Sequence, residues 1–253
     1  MTIRKRITIH GWNRQGRPVR LELAPAPAGS GIVFNSQVRA DIRHARVENH
    51  TTALAHNSCR IALVEHLLAA CTGLGITDLN ITLDRGEPPF ADGSSLLFAR
   101  RLQQAGITGS SKPFYLTGPV AVADGGGILI ALPAPRLKIS CLIDYPQTGP
   151  QFFSALITPG RFLREIAPAR TFGPADTGLQ PLLERLPFRI KMVAGWLFPA
   201  KPRFDTEPCR HKILDLLGDL ALLGRPLRAE IFAYNPNHRL NLKLVWKLKK
   251  EAF

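Results

Sequence analysis

Apolar and polar residues alternate with a period of two in "RITIHGW" and "RPVRLEL", and "GIVFN" is a short β-like run. That period puts every second side chain on one face of a pleated strand, so three strands are predicted, parted by turns that contain Gly or Pro. The pattern then lengthens. "ALVEHLLAACTGLG" keeps its apolar residues at the helical period, and Gly73 and Gly75 suit its C-terminal end. "DLNITLD" returns to the strand period. "DGSSLLFARRLQQAGI" is a second helix, opened by turn and cap residues from Asp92 to Ser95.

"TGSSKP", residues 108–113, is a polar linker. Beyond it, strand signals resume in "GGGILIALP" and "RLKISCLIDYP", and a short helix is expected near "PGRFLREIA". A Pro-rich irregular stretch then leads to a helix in "RHKILDLLGDL", residues 210–220, and "RAEIFAY" and "LNLKLVW" are predicted as closing strands. This order predicts an α+β protein of two related two-layer α/β sandwich domains, residues 1–107 and 108–253. The halves share no obvious sequence, so a repeat is suggested by element order alone.

The helix at 210–220 carries a question of its own. Ile213, Leu214, Leu216, Leu217 and Leu220 share one broad face, while His211, Asp215 and Asp219 recur every fourth residue and stack in a row. Such a row is either a solvated face with local ion pairs or part of a metal site. Zinc in hydrolases takes three protein ligands from His, Asp and Glu and leaves a position for water. His211 and Asp215 can supply two. His66 in "VEHLL" can supply the third, with Glu65 beside it to take a proton from the attacking water. Asp219 lies one turn further on, placed to orient another group. His238 in "NPNHRLN", at the entrance to the predicted last strand, can be that group. Each feature also has an ordinary explanation: an ion pair along a helix, a half-exposed Glu-His pair, a turn histidine. Spacing alone does not choose.

Composition narrows the partners. With 45% hydrophobic and 21% charged residues, the 253-residue chain can bury a real core. No run of about 18 apolar residues exists to span a bilayer. The N-terminus "MTIRKRITIHGWNRQ" has no apolar stretch behind its early charge, so a cytoplasmic protein is expected. The wide spacing of Cys59, Cys71, Cys141 and Cys209 argues against a disulfide framework or a thiolate zinc site. A formal net charge of +14 attracts nucleic acid, an anionic membrane surface or a phosphorylated substrate. No helix-turn-helix, zinc-finger or "RGFGFV"-like sequence is present, so nucleic acid is not expected as a partner.

In this combination and order, "VEHLLAACTGLGI", "ADGSS", "ARTFG", "RHKILDLLGDLALLG" and "NHRLN" closely resemble the UDP-3-O-acyl-N-acetylglucosamine deacetylases, the zinc amidases of lipid A biosynthesis. The resemblance runs from "PAPAGSGIVF" to "NHRLNLKL", most of the chain. It implies an active site between the two sandwich domains, a UDP-linked acylated amino sugar as substrate, and acetate as co-product. By this resemblance His66, His211 and Asp215 match the zinc ligands, and Glu65 matches the general base. His238 matches the histidine that protonates the leaving group, and Asp219 the carboxylate that holds it. Lys212 and Thr171 match groups near the reacting amide and its oxyanion. Tyr145 stands where the family has an aromatic residue against the nucleotide, and Phe172 matches another residue lining the site. Zinc lowers the pKa of water from 15.7 to roughly 7, and ferrous iron is the alternative at a set of two His and one Asp. A monomer is expected, with the basic charge suited to peripheral contact at an anionic membrane surface.

The likeness breaks in three places. The family's "GLHSG" is replaced by "WNRQG", with Arg14 near the histidine position. The inserted unit that forms the family's acyl passage is replaced by "GLQPLLERLPFRIKMVAGWLFPAKP"; this altered insert, residues 174–208, is apolar but interrupted by Pro. It is expected either to cover an acyl chain by other contacts or to be a core element. Asn235 replaces one lysine, and the Gly-Gly-Gly run at 125–127 replaces another that faces the diphosphate; no G-K-[ST] follows that run, so it is not a phosphate loop. Two rivals remain: a zinc deacetylase of a different N-acetylated amino sugar, and a non-catalytic basic nucleic-acid-binding protein.

Overall fold

The computed structural model describes residues 1–175 and 180–251. Residues 176–179 of the altered insert, and Ala252 and Phe253 of the basic C-terminal run, lie outside the described residues. Four strands open the first half: β1 (Ile7–Trp12), β2 (Pro18–Ala24), β3 (Ile32–Phe34) and β4 (Val38–Arg39). A small sheet follows, made of β5 (Ala45–Glu48), β6 (Thr51–His56) and β7 (Cys59–Ile61). Then come α1 (Glu65–Leu74), β8 (Leu79–Leu83) and α2 (Leu96–Gln104).

The second half repeats the plan. Its four strands are β9 (Val120–Asp124), β10 (Gly127–Pro133), β11 (Lys138–Tyr145) and β12 (Gly149–Leu156). A helical segment at 159–166 leads to another small sheet: β13 (Gly173–Pro174), β14 (Ile190–Val193) and β15 (Trp196–Pro199). The half ends with α3 (Glu207–Leu220), β16 (Leu227–Tyr234) and α4 (His238–Glu251). The main sheets share one strand order, β1-β2-β8-β3-β4 and β9-β10-β16-β11-β12. Their pairing also matches: neighbours are antiparallel except β8 with β3 and β16 with β11, which are parallel. The likeness of the halves is thus a duplicated topology in the α+β class; Thr108 of the expected linker is strand, paired with Thr2 of the first half.

One continuous hydrophobic core draws on both halves. Strands β2 and β8 bury alternate residues, Val19, Leu21 and Leu23 with Leu79, Ile81 and Leu83. The helices α1 and α3 are buried along nearly their whole length. They pack on each other where α3 carries Gly218. A Cβ at that position would lie 2.2 Å from the carbonyl oxygen of Glu65, so no larger residue fits without moving a backbone. At its far end α1 stops at Gly75, whose φ of 78° lets its N–H cap the Cys71 and Thr72 carbonyls.

Two predicted elements come out differently. "LNLKLVW" is helix, not strand. Leu240, Leu242 and Leu244 fit a period of two, but Leu240, Leu244 and Leu248 also recur every four residues, and buried Asn241 and Val245 complete a helical face. Asn237 Oδ1 caps this helix by accepting from Leu240 N at 3.0 Å. His238 therefore opens a helix rather than a strand. The stretch before α3 is not irregular either, since β14 and β15 pair as a hairpin and β13 joins them.

Asp41 ties α4 to the first half. Burial alone would raise its carboxyl, yet Arg43, at 2.9 and 3.0 Å, and Lys249, at 2.8 Å, hold it far below the usual carboxylate range. A carboxyl with a depressed folded pKa stabilises above its unfolded pKa and loses that contribution as pH falls. Asp41→Asn is expected to lower the thermal midpoint by a few degrees at neutral pH. The difference from wild type closes as pH falls below the ordinary carboxylate value of about 4. Gly218→Ala is expected to cost about 3 kcal/mol, the range for overpacking a rigid core, read as a lower denaturant midpoint at unchanged m-value.

Candidate metal centre and its cavity

The crossing of α1 and α3 sets the site. Glu65 and His66 are the first two residues of α1, and α3 contributes His211, Asp215 and Asp219 from successive turns. His211 Nε2 lies 3.2 Å from Asp215 Oδ1, and His66 Nε2 lies 3.8 Å from the same oxygen. The two imidazoles meet edge to face with centroids 5.0 Å apart. One donor atom from each of the three residues falls within 4.8 Å of the others, and all three are buried. His211 Nδ1 donates to the Ala169 carbonyl at 3.0 Å, which fixes the ring with Nε2 turned toward the cluster. Two imidazoles and one carboxylate suit zinc or ferrous iron.

Protonation favours ligation. Burial, then the neighbouring His211, pushes His66 down to about 3, so it is neutral at physiological pH. Burial works against charge on Asp215, but His211 and Lys212 hold its carboxyl well below the usual range. Lys212 Nζ is 3.0 Å from Asp215 Oδ2. His66 and Asp215 are thus each in the form a cation requires.

A carboxylic acid and an imidazole flank this group. Glu65 Oε2 accepts from Thr52 N at 3.1 Å, and Oε1 lies 3.8 Å from His238 Nε2. Burial pushes Glu65 up to about 7, with His238 acting in the opposite sense. Burial would lower His238, but Asp219, then Asp215 and Glu65, push it up to about 9. Asp219 is fully buried and accepts from His238 Nδ1 at 2.8 Å, Asn241 Nδ2 at 2.8 Å and Thr52 Oγ1 at 2.5 Å. His238 is held as an imidazolium with Nε2 turned toward Glu65 and Asp215. A base poised near neutrality and a cationic acid therefore face each other beside the donor cluster.

A cavity of about 620 Å³ opens over this group. Glu65, His66, Tyr145, Thr171, Phe172, Lys212, Asp215 and His238 all line it. His211 stands behind Asp215, and Asp219 behind His238. Thr171 spends its backbone N–H on Gly93 O at 2.8 Å, so only its hydroxyl is free to meet a ligand. Phe172 stacks on Phe198 at 5.6 Å and meets Trp196 at 5.8 Å, while Tyr145 lies 5.8 Å from Trp196. Leu186, Phe188, Ile190, Trp196 and Leu197 of the altered insert form an apolar wall. Arg14 reaches the cavity with its N and Nε bound to the buried carboxylate of Glu87, at 2.9 and 3.2 Å. Asn235 is locked onto β11: its Oδ1 accepts from Asp144 N at 2.8 Å, and its backbone N donates to Leu142 O at 3.0 Å.

Known proteins can now be set beside this geometry. A family model described as UDP-3-O-acyl N-acetylglycosamine deacetylase matches residues 1–250. The chain belongs to that family. Curated relatives named UDP-3-O-acyl-N-acetylglucosamine deacetylase include one from Solibacter usitatus, 34% identical over 251 residues, 92% of this chain and 85% of the relative. Another from Myxococcus xanthus is 37% identical, covering 93% and 81%. A third from Thermosynechococcus vestitus is 37% identical, covering 90% and 86%. Members of this family are hydrolases, and among the described residues no helix is long and apolar enough to cross a membrane.

Two residues of the deacetylase site escaped the sequence. Thr52 binds Glu65, Asp219 and His238 at once, yet in "NHTTALAH" nothing marks it out. Asn241 was hidden by the strand pattern; on a helix it shares a face with His238, three residues away. Asp215→Ala and His66→Ala are each expected to reduce bound metal from about one ion per chain to near none. Asp219→Ala, which touches the acid and not the donor cluster, retains it. Elemental analysis of dialysed protein checks both.

Proposed function

We infer that this chain hydrolyses the N-acetyl group of UDP-3-O-acyl-N-acetylglucosamine, releasing acetate, as a step of lipid A biosynthesis. The observation that carries this reading is the facing pair of Glu65 and His238 beside a buried His66–His211–Asp215 donor set, at the base of a largely apolar cavity. Zinc held by those three residues would supply Lewis acidity, polarising the acetamide carbonyl and making water acidic near neutral pH.

The chain's own groups do the rest. Glu65 takes the proton of the attacking water on its carboxylate, a role that fits a carboxyl raised to about 7 by burial. The Thr171 hydroxyl and the Lys212 ammonium support negative charge growing on the carbonyl oxygen. His238 Nε2 gives its proton to the glucosamine nitrogen as the C–N bond breaks, and acetate leaves. Asp219, Thr52 and Asn241 fix the ring that makes this transfer. Tyr145 and Phe172 offer aromatic faces to the nucleotide base. The insert wall of Leu186, Phe188, Ile190 and Leu197 covers the acyl chain by contacts unlike the family's usual inserted unit.

Zinc-loaded protein is expected to release acetate from UDP-3-O-(3-hydroxyacyl)-N-acetylglucosamine, and His66→Ala to abolish it. Glu65→Gln and His238→Gln should each lower kcat by roughly 10²–10⁴-fold while keeping the metal. An analogue lacking the acyl chain should compete poorly. Equal competition would shift the substrate to another N-acetylated amino sugar.

A further inference from the structure

The duplicated plan lets the two main sheets be compared strand for strand. The positions on β1, β2 and β8 that alternate with the core are mostly polar: Thr8, His10, Arg20, Glu22, Asn80 and Thr82, with Trp12 and Pro18 paired at the strand ends. In the equivalent sheet of the second half the alternating positions include Lys138, Asp144, Arg228 and Glu230, but six others are large, apolar and exposed. They are Ile128, Ile130, Leu142, Phe152, Phe232 and Tyr234, between 37% and 61% exposed. Strand register joins four of them in one row across four strands. Ile128 lies opposite Tyr234, Tyr234 opposite Leu142, and Leu142 opposite Phe152. Ile130 and Phe232 pair alongside. The fold does not require this face to be apolar, because its twin is not. Contiguous exposed apolar surface of this kind marks an interaction site.

Two neighbours of the face identify what it meets. The first is the cavity. Asn235 follows Tyr234, Tyr145 ends β11, Gly125 sits in the β9–β10 turn, and all three line the cavity. The apolar row therefore lies beside the cavity rim. The second is a basic ridge on α4, where Arg239, Lys243, Lys247 and Lys250 are exposed with Trp246 among them. Their spacing keeps them on one side of the helix. Arg239 and Lys243 both reach Asp124 Oδ2 at 2.8 Å, and Lys247 Nζ donates to Ala121 O at 3.0 Å. The ridge is thus fastened along β9, the edge strand of the same sheet.

We propose that the apolar outer face of the second sheet and the basic ridge of α4 together dock the protein on an anionic lipid bilayer. Apolar side chains enter the acyl boundary, Tyr and Trp settle among the headgroups, and the cations meet anionic lipids. A second copy of the chain fits the face less well, because surfaces belonging to molecules of formal charge +14 repel when brought together. Docking in this sense places the cavity rim next to the bilayer, where an acylated nucleotide sugar partitions. The docking surface itself stands on the sheet and helix, whichever amino sugar the cavity takes.

Cosedimentation with vesicles tests the proposal. Vesicles of equimolar phosphatidylcholine and phosphatidylglycerol are expected to bind the full chain, increasingly weakly as salt is raised, and pure phosphatidylcholine to bind it poorly. Lys247→Gln with Lys250→Gln should lower partitioning roughly thirtyfold. Phe152→Ser with Phe232→Ser should lower it at least roughly tenfold. Both double variants keep wild-type thermal midpoints and wild-type acetate release from a soluble short-chain substrate, which separates loss of docking from loss of the enzyme. Failure of the wild type to bind mixed vesicles, or undiminished binding by the Phe152/Phe232 variant, overturns the proposal. A dimer in sedimentation velocity that dissolves in that variant also overturns it, and gives the face to a second copy.

Discussion

Everything in the site depends on how closely α1 and α3 approach. With glycine at 218 the backbone of α3 comes against the Glu65 carbonyl. That contact brings the first turn of α1 against the C-terminal half of α3. Glu65 and His66 come from one copy of the duplicated plan, and His211, Asp215 and Asp219 from the other. A displacement of a single methyl group at the crossing would part donors that now sit within 4.8 Å.

That approach also concentrates ionisable groups where water is scarce. Glu65, His66, His211, Asp215, Asp219 and His238 are all buried. Burying charge is costly unless each group is paired or hydrogen-bonded. The chain arranges this in tiers. Ala169 O fixes His211, Lys212 sits on Asp215, and Thr52 and Asn241 share Asp219 with His238. A cation held by the three donors would complete the arrangement and link metal affinity to fold stability. The same tiers separate the two proton-carrying groups. Glu65 has few partners and is raised toward neutrality, whereas His238 has a carboxylate at its back and is raised beyond it.

Much of this was legible in residue order. The strands β1, β2 and β8 announce themselves because a buried apolar face alternates with a polar one, and β10, β11 and β16 because short apolar runs stand between turns. The helices α1 and α3 do so because their apolar residues recur at the helical period. The donor row on α3 was visible as spacing, though its burial was not: a row of His and Asp looks the same on a wet face and a dry one. What stayed hidden has physical causes. In α4, leucines at both two- and four-residue intervals satisfy either period, so strand and helix were indistinguishable without the Asn237 cap. The small sheet β5–β7 is short and rich in polar side chains, and β12 begins with Gly-Pro, which resembles a turn. Thr52 acts through neighbours distant in sequence, 167 and 186 residues away, and no local pattern encodes such a contact.

The shared strand order of the two halves has a consequence for how this molecule can change over time. Neither copy holds a complete donor set or a complete proton relay, so neither can be improved or lost alone. A substitution that tilts α1 within the first copy is felt as a lengthened bond in the second. The twin sheets are free of that restraint on their outer faces. There one copy is mostly polar while the other carries an apolar row, so the duplicated plan ties its inward surfaces together and leaves its outward surfaces to separate tasks.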